Sequence, residues 1–177
     1  RARYLAKSPE ARARRESILK LAFNITDIAS AFKSAAQLVD AAKAEADEES
    51  ERRDEVELKA LKEAWGQSGS KLVQGGSKAV KELEKEQKAR STRMVRDYLD
   101  GALLDIVTLF RDILLVQSGS SESVINSDLT KEIEKVASST TAESTLGKIE
   151  AIMRARLNLA HNAAPLLTVE ALMVQLK

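Results

Sequence analysis

Arg154-Ala155-Arg156-Leu157-Asn158-Leu159-Ala160-His161-Asn162-Ala163-Ala164-Pro165-Leu166-Leu167-Thr168-Val169-Glu170-Ala171-Leu172-Met173-Val174-Gln175-Leu176 is the stretch whose reading decides the fold. It reads as the end of one amphipathic helix, a break at residues 162–165, and a short apolar helix. Pro165 opens that helix, because its fixed φ suits a first helical position and its missing N–H costs nothing there. Leu166, Val169, Met173 and Leu176 recur at helical spacing with Leu172 beside them. A segment this apolar is expected to fill the chain's own core, so its role is packing rather than chemistry.

The same logic extends upstream. Thr140-Thr141-Ala142-Glu143 has the form of a capping box, with the Thr140 hydroxyl and the Glu143 carboxylate satisfying reciprocal amides. The helix it opens places Leu146, Ile149, Met153, Leu157 and Ala160 at core spacing. Before it, Asn126-Ser127-Asp128 starts a short helix to about residue 137, and residues 118–123 form a turn. From Lys78 a helical pattern runs to about Gln117, roughly 60 Å of helix at 1.5 Å per residue. Its first half is basic, with Lys78, Lys81, Lys85, Lys88, Arg90, Arg93 and Arg96. Its second half is apolar, with Leu99, Leu103, Ile106, Phe110, Ile113 and Leu114. So long a helix exceeds one compact domain, so the polar half is expected to protrude.

Its expected companion is residues 45–64, where nine acidic and four basic residues displace the large apolar ones. Residues 66–77 between them hold four glycines and three serines, which makes a regular element unfavourable and marks a flexible linker. The two charged halves have opposite bias, and an antiparallel hairpin with cross-helix ion pairs is predicted. Leu58, Leu61 and Trp65 form a small contact near its tip. Earlier, Ile28, Ala31, Phe32, Ala35, Leu38, Val39 and Ala42 line one side of a helix capped within residues 24–27. Ser8-Pro9-Glu10 starts another helix, which runs to about Phe23. The expected organisation is an all-α bundle of about five helices over residues 24–177, with a charged helical insert at 48–96. Residues 1–23 are read as the edge of a preceding domain, and the start at Arg1 as that of a fragment or processed product.

Composition narrows the function classes. The 177 residues carry 28 basic and 27 acidic side chains, so net charge gives no global argument for nucleic acid or membrane. With no Cys and one His, thiol nucleophiles, disulfides and histidine-based metal sites have almost no material. No apolar run reaches the roughly 20 residues that span a bilayer, no signal peptide is visible, and a cytoplasmic location is the default. His161 reads as a capping or surface residue. The acidic group Asp47, Glu48, Glu49 and Glu51 lacks a calcium loop's glycine and reads as solvated. Gly75-Gly76-Ser77-Lys78 lacks the phosphate-loop spacing and reads as linker. The basic run at 78–96 has no interleaved aromatics, and reads as a solvated face paired with the acidic helix. No catalytic, cofactor or metal residue is assigned.

Two motifs carry a resemblance. Phe110-Arg111-Asp112 followed by a Leu-rich run is similar to the central collar helix of bacterial clamp-loader subunits of DNA polymerase III. Asn162-Ala163-Ala164-Pro165 with Glu170-Ala171-Leu172 resembles that family's closing Asn-x-Asn-Pro turn and Glu-Ala-Leu helix, although the second Asn is Ala164 here. The likeness is strongest to the delta-prime subunit of the actinobacterial kind. It covers about residues 27–47 and 97–177. The resemblance implies a C-terminal collar that holds a pentamer together for sliding-clamp loading. Residues 1–23 become a remnant of the AAA+ lid domain. The implied partners are the gamma/tau and delta subunits, with DNA reached only through the assembled complex and no membrane or small-molecule substrate. Phe110, Arg111, Asp112, Asn162, Pro165 and Glu170 become structural or interface positions. The equivalent gamma/tau region and an unrelated helical scaffold remain as alternatives, and no enzymatic activity is expected of this fragment.

Overall fold

A computed structural model describes residues 9–65, 76–120 and 124–177. Every regular element among the described residues is helical: α1 Pro9–Phe23, α2 Ile28–Ala64, α3 Gly76–Gln117, α4 Thr130–Ser139, α5 Ala142–Ala160 and α6 Pro165–Leu176, with a 3-10 turn, Ser127–Leu129, leading into α4. The all-helical class expected from the sequence is therefore the one found, with five of the six described α-helices lying within residues 24–177. One compact unit takes in α1, α2 up to Val39, and the chain from Leu99 onward; the other takes in α2 from Asp40 and α3 up to Tyr98.

Local chemistry sets the helix ends. At the start of α2, the Ser30 amide donates to Asp27 Oδ1 at 2.7 Å, while Ser30 Oγ accepts from the Asp27 amide at 2.9 Å. This reciprocal cap holds the Asp27 carboxyl below its ordinary value, chiefly through the Ser30 backbone N–H. Helix α3 ends in a left-handed residue, Gly119 with φ 65°. Its amide bonds to Val116 O, and the Ser120 amide bonds to Leu115 O. Helix α5 ends in the same motif, with Asn162 at φ 64° in the glycine position. The Asn162 amide reaches Leu159 O at 3.1 Å and the Ala163 amide reaches Asn158 O at 2.9 Å. His161 is exposed and caps this end through its own backbone amide, which bonds to Leu157 O at 3.0 Å.

The first unit is built around the apolar half of α3. Leu99, Leu103, Ile106, Leu109, Phe110 and Ile113 are buried, as are Leu19 of α1, Leu38 of α2, Ile133 of α4, Ile152 and Leu159 of α5, and Val169, Leu172, Met173 and Leu176 of α6, which together make the apolar core. Three sequence expectations are corrected here. Leu166 is exposed although it falls only about 20° round the helix from buried Met173: it stands in the first turn of α6, and burial begins at Thr168 and Val169. Ile28 and Phe32 are also exposed, because the buried line of α2 follows Ala31, Ala35, Leu38 and Val39. The capping residue of α5 is Thr141, whose side chain accepts from the Ser144 amide at 3.2 Å. Thr140 is otherwise engaged: its hydroxyl donates to Val136 O at 2.8 Å and accepts from Gln117 Nε2 at 3.0 Å.

The second unit pairs two charged helices. Arg90 donates to both Asp54 Oδ1 and Glu57 Oε2, each at 2.6 Å, and Gln87 Nε2 donates to Asp54 O at 3.2 Å. The Arg90 guanidinium, helped by Arg53, holds the Glu57 carboxyl down to about 2. The same pairing raises the Arg90 pKa further above its ordinary value. Ser50 is buried and its hydroxyl bonds to Ala46 O. Leu58 and Leu61 are half-buried and Trp65 is exposed. Gly76 and Ser77 form the first turn of α3, and linker residues 66–75 lie outside the described residues.

Outcomes at three positions follow from these ends and pairs. Ala164 caps α6 with no side-chain bond, so Ala164→Asp should stabilise the chain by about 1 kcal/mol, raising the melting temperature by roughly 2–4 °C. Asn162→Val should cost about 1–2 kcal/mol for the left-handed backbone, while Asn162→Gly should be near neutral. Thermal denaturation followed by circular dichroism measures all three, and a neutral Asn162→Val would refute the assigned role. A depressed folded pKa means that the Glu57 contribution is present above its unfolded value of about 4.5 and is lost as pH falls toward 2. Glu57→Gln should therefore flatten the pH dependence of amide-exchange protection at residues 54–57 and 87–90 between those values.

Candidate interaction surface

Helix α5 carries two apolar faces, and burial selects the one with the smaller residues. Thr145, Ala151, Ile152, Ala155 and Leu159 are buried, which lets α5 lie close to its neighbours. The row expected in the core lies outside: Leu146 is 48% exposed, Met153 41% and Leu157 60%, with Ile149 half-buried and Ala160 exposed. This corrects the expectation. Both faces repeat with the helical period, and periodicity alone does not say which one turns inward.

Polar contacts fix how α5 lies on α3. Arg156 forks onto Asp100, with Nε to Oδ1 at 2.7 Å and Nη2 to Oδ2 at 3.0 Å. Lys148 Nζ lies 5.8 Å from the centre of the Phe110 ring and donates to Leu176 O at 2.7 Å. That bond satisfies a carbonyl at the negative end of α6. Burial pushes the Lys148 ammonium below its ordinary pKa. Asp100 meets Arg156 and Phe110 meets Lys148, so α3 and α5 run antiparallel. Exposed Leu104 and half-buried Val107 then lie level with Met153 and Ile149. The α5 row and this edge of α3 present apolar side chains at the spacing into which another helix packs.

A buried polar node sits elsewhere in the same unit. Asp112 is fully buried, and its Oδ2 accepts from the Asn126 amide at 2.8 Å and from Asn126 Nδ2 at 2.7 Å. Its Oδ1 accepts from Arg111 Nη1 at 3.0 Å. Arg15 of α1 donates to Asn126 Oδ1, to Thr108 Oγ1 at 3.1 Å and to Asp105 Oδ1 at 3.3 Å. Three segments are thereby tied together: α1, α3 and the approach to the 3-10 turn.

The sequence-predicted positions take different parts. The Phe110 ring is buried beneath Lys148. Arg111, 40% exposed, pairs with the buried Asp112. Asn162 and Pro165 shape the α5–α6 turn. Glu170 is half-buried on α6 and has no hydrogen bond or ion pair among the described residues. Sequence reasoning did not single out Arg15, Asp100, Asp105, Lys148 or Arg156, and took Asn126 only as a helix start. One signal was available: Asp105 and Asp112, seven residues apart on one face of an apolar helix, mark acids that need partners. Among the described residues, no group of three or more His, Cys, Asp or Glu side chains could hold a metal ion, and no helix is long and apolar enough to cross a membrane.

The class that fold and surface define is an all-helical packing module. Residues 97–176, from within α3 to the end of α6, match the family described as DNA polymerase III, delta subunit, C terminal. The match supports the C-terminal region of a clamp-loader subunit over these residues and leaves 1–96 outside it. No curated protein and no solved structure matches the chain.

The polar node makes a quantitative prediction. Asp112→Ala leaves two Asn126 donors without their buried acceptor, and should destabilise the chain by about 3 kcal/mol. Arg15→Ala should cost less, because Asp112 still satisfies Asn126. Urea denaturation measures both, and an Asp112→Ala effect under about 0.5 kcal/mol would show that the node is not holding the fold.

Proposed function

We propose that this chain is the C-terminal collar region of a clamp-loader delta-prime subunit, a non-catalytic domain through which that subunit joins its gamma/tau and delta partners in the bacterial cytoplasm. In this reading residues 1–23 are the edge of the preceding lid domain, and the charged helices are an insert within the collar. The observation that carries it is the exposed Leu146–Ile149–Met153–Leu157 row, which lies inside the stretch that matches the family. Full burial of such a side chain contributes about 1.5–3 kcal/mol, so covering four half-exposed ones contributes roughly 3–6 kcal/mol in all. Association opposes this with an estimated 4 kcal/mol or more. The row alone therefore does not hold a stable dimer, and a partner must cover more, starting with Leu104 and Val107. A subunit gripped by two neighbours in a ring meets that requirement, which supports the collar reading. The description of the matching family favours a second reading, the collar of the delta subunit itself.

Size-exclusion chromatography with purified gamma/tau, delta and delta-prime subunits tests the proposal. The fragment should co-elute with gamma/tau at micromolar concentration, and Met153→Glu with Leu157→Glu should abolish co-elution while leaving the helical circular dichroism unchanged. Failure to bind any clamp-loader subunit would overturn it. Added in excess to an assembled complex, the fragment should displace delta-prime; displacement of delta would establish the second reading.

A further inference from the structure

Residues 76–98 of α3 present two opposite faces. Gln87 and Arg90 turn toward α2, where they meet Asp54 and Glu57. On the other side, Lys78, Lys81, Lys85 and Lys88 are all exposed. At 100° per residue these four fall within about 80° of one another, along roughly 15 Å of axis. Exposed Thr92 and half-buried Arg96 continue the line.

The acidic residues nearby do not neutralise this row. Arg90 takes up Asp54 and Glu57 on the inner side. Lys78, Lys81 and Lys88 have no ion-pair partner among the described residues, and Lys85 has a single long contact, 3.9 Å to Glu82. Glu82, Glu84 and Glu86 flank the row without entering its arc. The lysines thus form a row of positive charge facing water, on the side of the helix opposite Gln87 and Arg90.

From this geometry we propose that the row is a contact for the phosphate backbone of duplex nucleic acid, one that reads charge and not sequence. Four lysines at steps of three, four and three residues along one helix face suit a linear polyanion, and displacing its counterions supplies the driving force. Single strands are disfavoured as the target: they are held by stacking on aromatic side chains, and the row has none. An anionic lipid surface fits poorly as well, since a helix lying in that interface needs large apolar residues beside its lysines, and the positions adjoining the row are Glu82, Glu84, Glu86 and Ala89. The contact lies outside the matched stretch and does not depend on the collar reading.

Fluorescence anisotropy of a labelled 24-base-pair duplex, titrated with the full 177-residue chain at several salt concentrations, tests it. Binding should weaken steeply with salt. The variant K78Q/K81Q/K85Q/K88Q should bind at least about tenfold more weakly at 50 mM salt, and should lose up to about 3–4 from the log–log salt slope. Because all four lysines are exposed, the helical circular dichroism should not change. E82Q/E86Q should tighten binding. Equal affinity of the lysine variant and the parent, no binding at 50 mM salt, or tighter binding to phosphatidylglycerol vesicles than to the duplex would each overturn the proposal.

Discussion

Asp112 is an acid in the apolar half of α3, with none of its surface exposed. A charge in that position is unfavourable by several kcal/mol unless its lone pairs are met, and the surrounding chain is arranged to meet them. Asn126 answers with both its backbone amide and its side chain, which fixes the chain just before the 3-10 turn. Arg111 covers the second oxygen from the solvent side. Arg15, engaging Asn126, Thr108 and Asp105, then has one position on α3, and α1 is held with it. Apolar packing would tolerate several rotations of a helix about its axis; this network tolerates one. The Phe110-Arg111-Asp112 triplet therefore works through its last member, and the arginine is the partner of the acid beside it.

The same competition between periodic packing and specific pairing explains α5. Two apolar faces could each have turned inward. The pairs Arg156–Asp100 and Lys148–Leu176 O fix the helix so that Ile152, Ala155 and Leu159 are covered and Leu146, Met153 and Leu157 are not. Arg156 and Lys148 are long enough to bury their stems and keep their charged ends paired. The consequence for function is direct. Leu146, Met153 and Leu157 stay exposed, and the core uses a face that includes the smaller Thr145, Ala151 and Ala155.

Much of the architecture was legible because it rests on local rules. Pro165 at a first helical position, the break at residues 162–165, the apolar half of α3 and the core residues Val169, Leu172, Met173 and Leu176 all follow from propensity, spacing and capping. Readings failed where two local solutions compete or where the deciding partner is far away in sequence. Thr140 and Thr141 are equally good caps by residue type, and Gln117, twenty-three residues upstream, takes the first. Leu146 and Ile152 belong to equally plausible stripes, and the choice depends on Asp100, fifty-six residues before Arg156. The sequence places Asn162 at the break but leaves it between a structural and an interface role, because its value lies in its backbone, not its side chain: at φ 64° it does the work that Gly119 does at the end of α3.

The charged helices show how position, and not composition, decides what a charge is for. Residues 40–98 carry acidic and basic side chains in comparable number, and net charge gave no reason to look for a polyanion. Yet helical geometry sorts them. Arg90, turned inward, is paired with two carboxylates and holds the two helices together. Lys78, Lys81, Lys85 and Lys88, turned outward, are held by almost nothing. An exposed ion pair contributes at most about 1 kcal/mol, so leaving the lysines unpaired sacrifices little stability. It does create a field along one edge, and a field acts on what lies outside the molecule. The inward charges of this segment are held by folding, and the outward lysines leave a row of positive charge facing water.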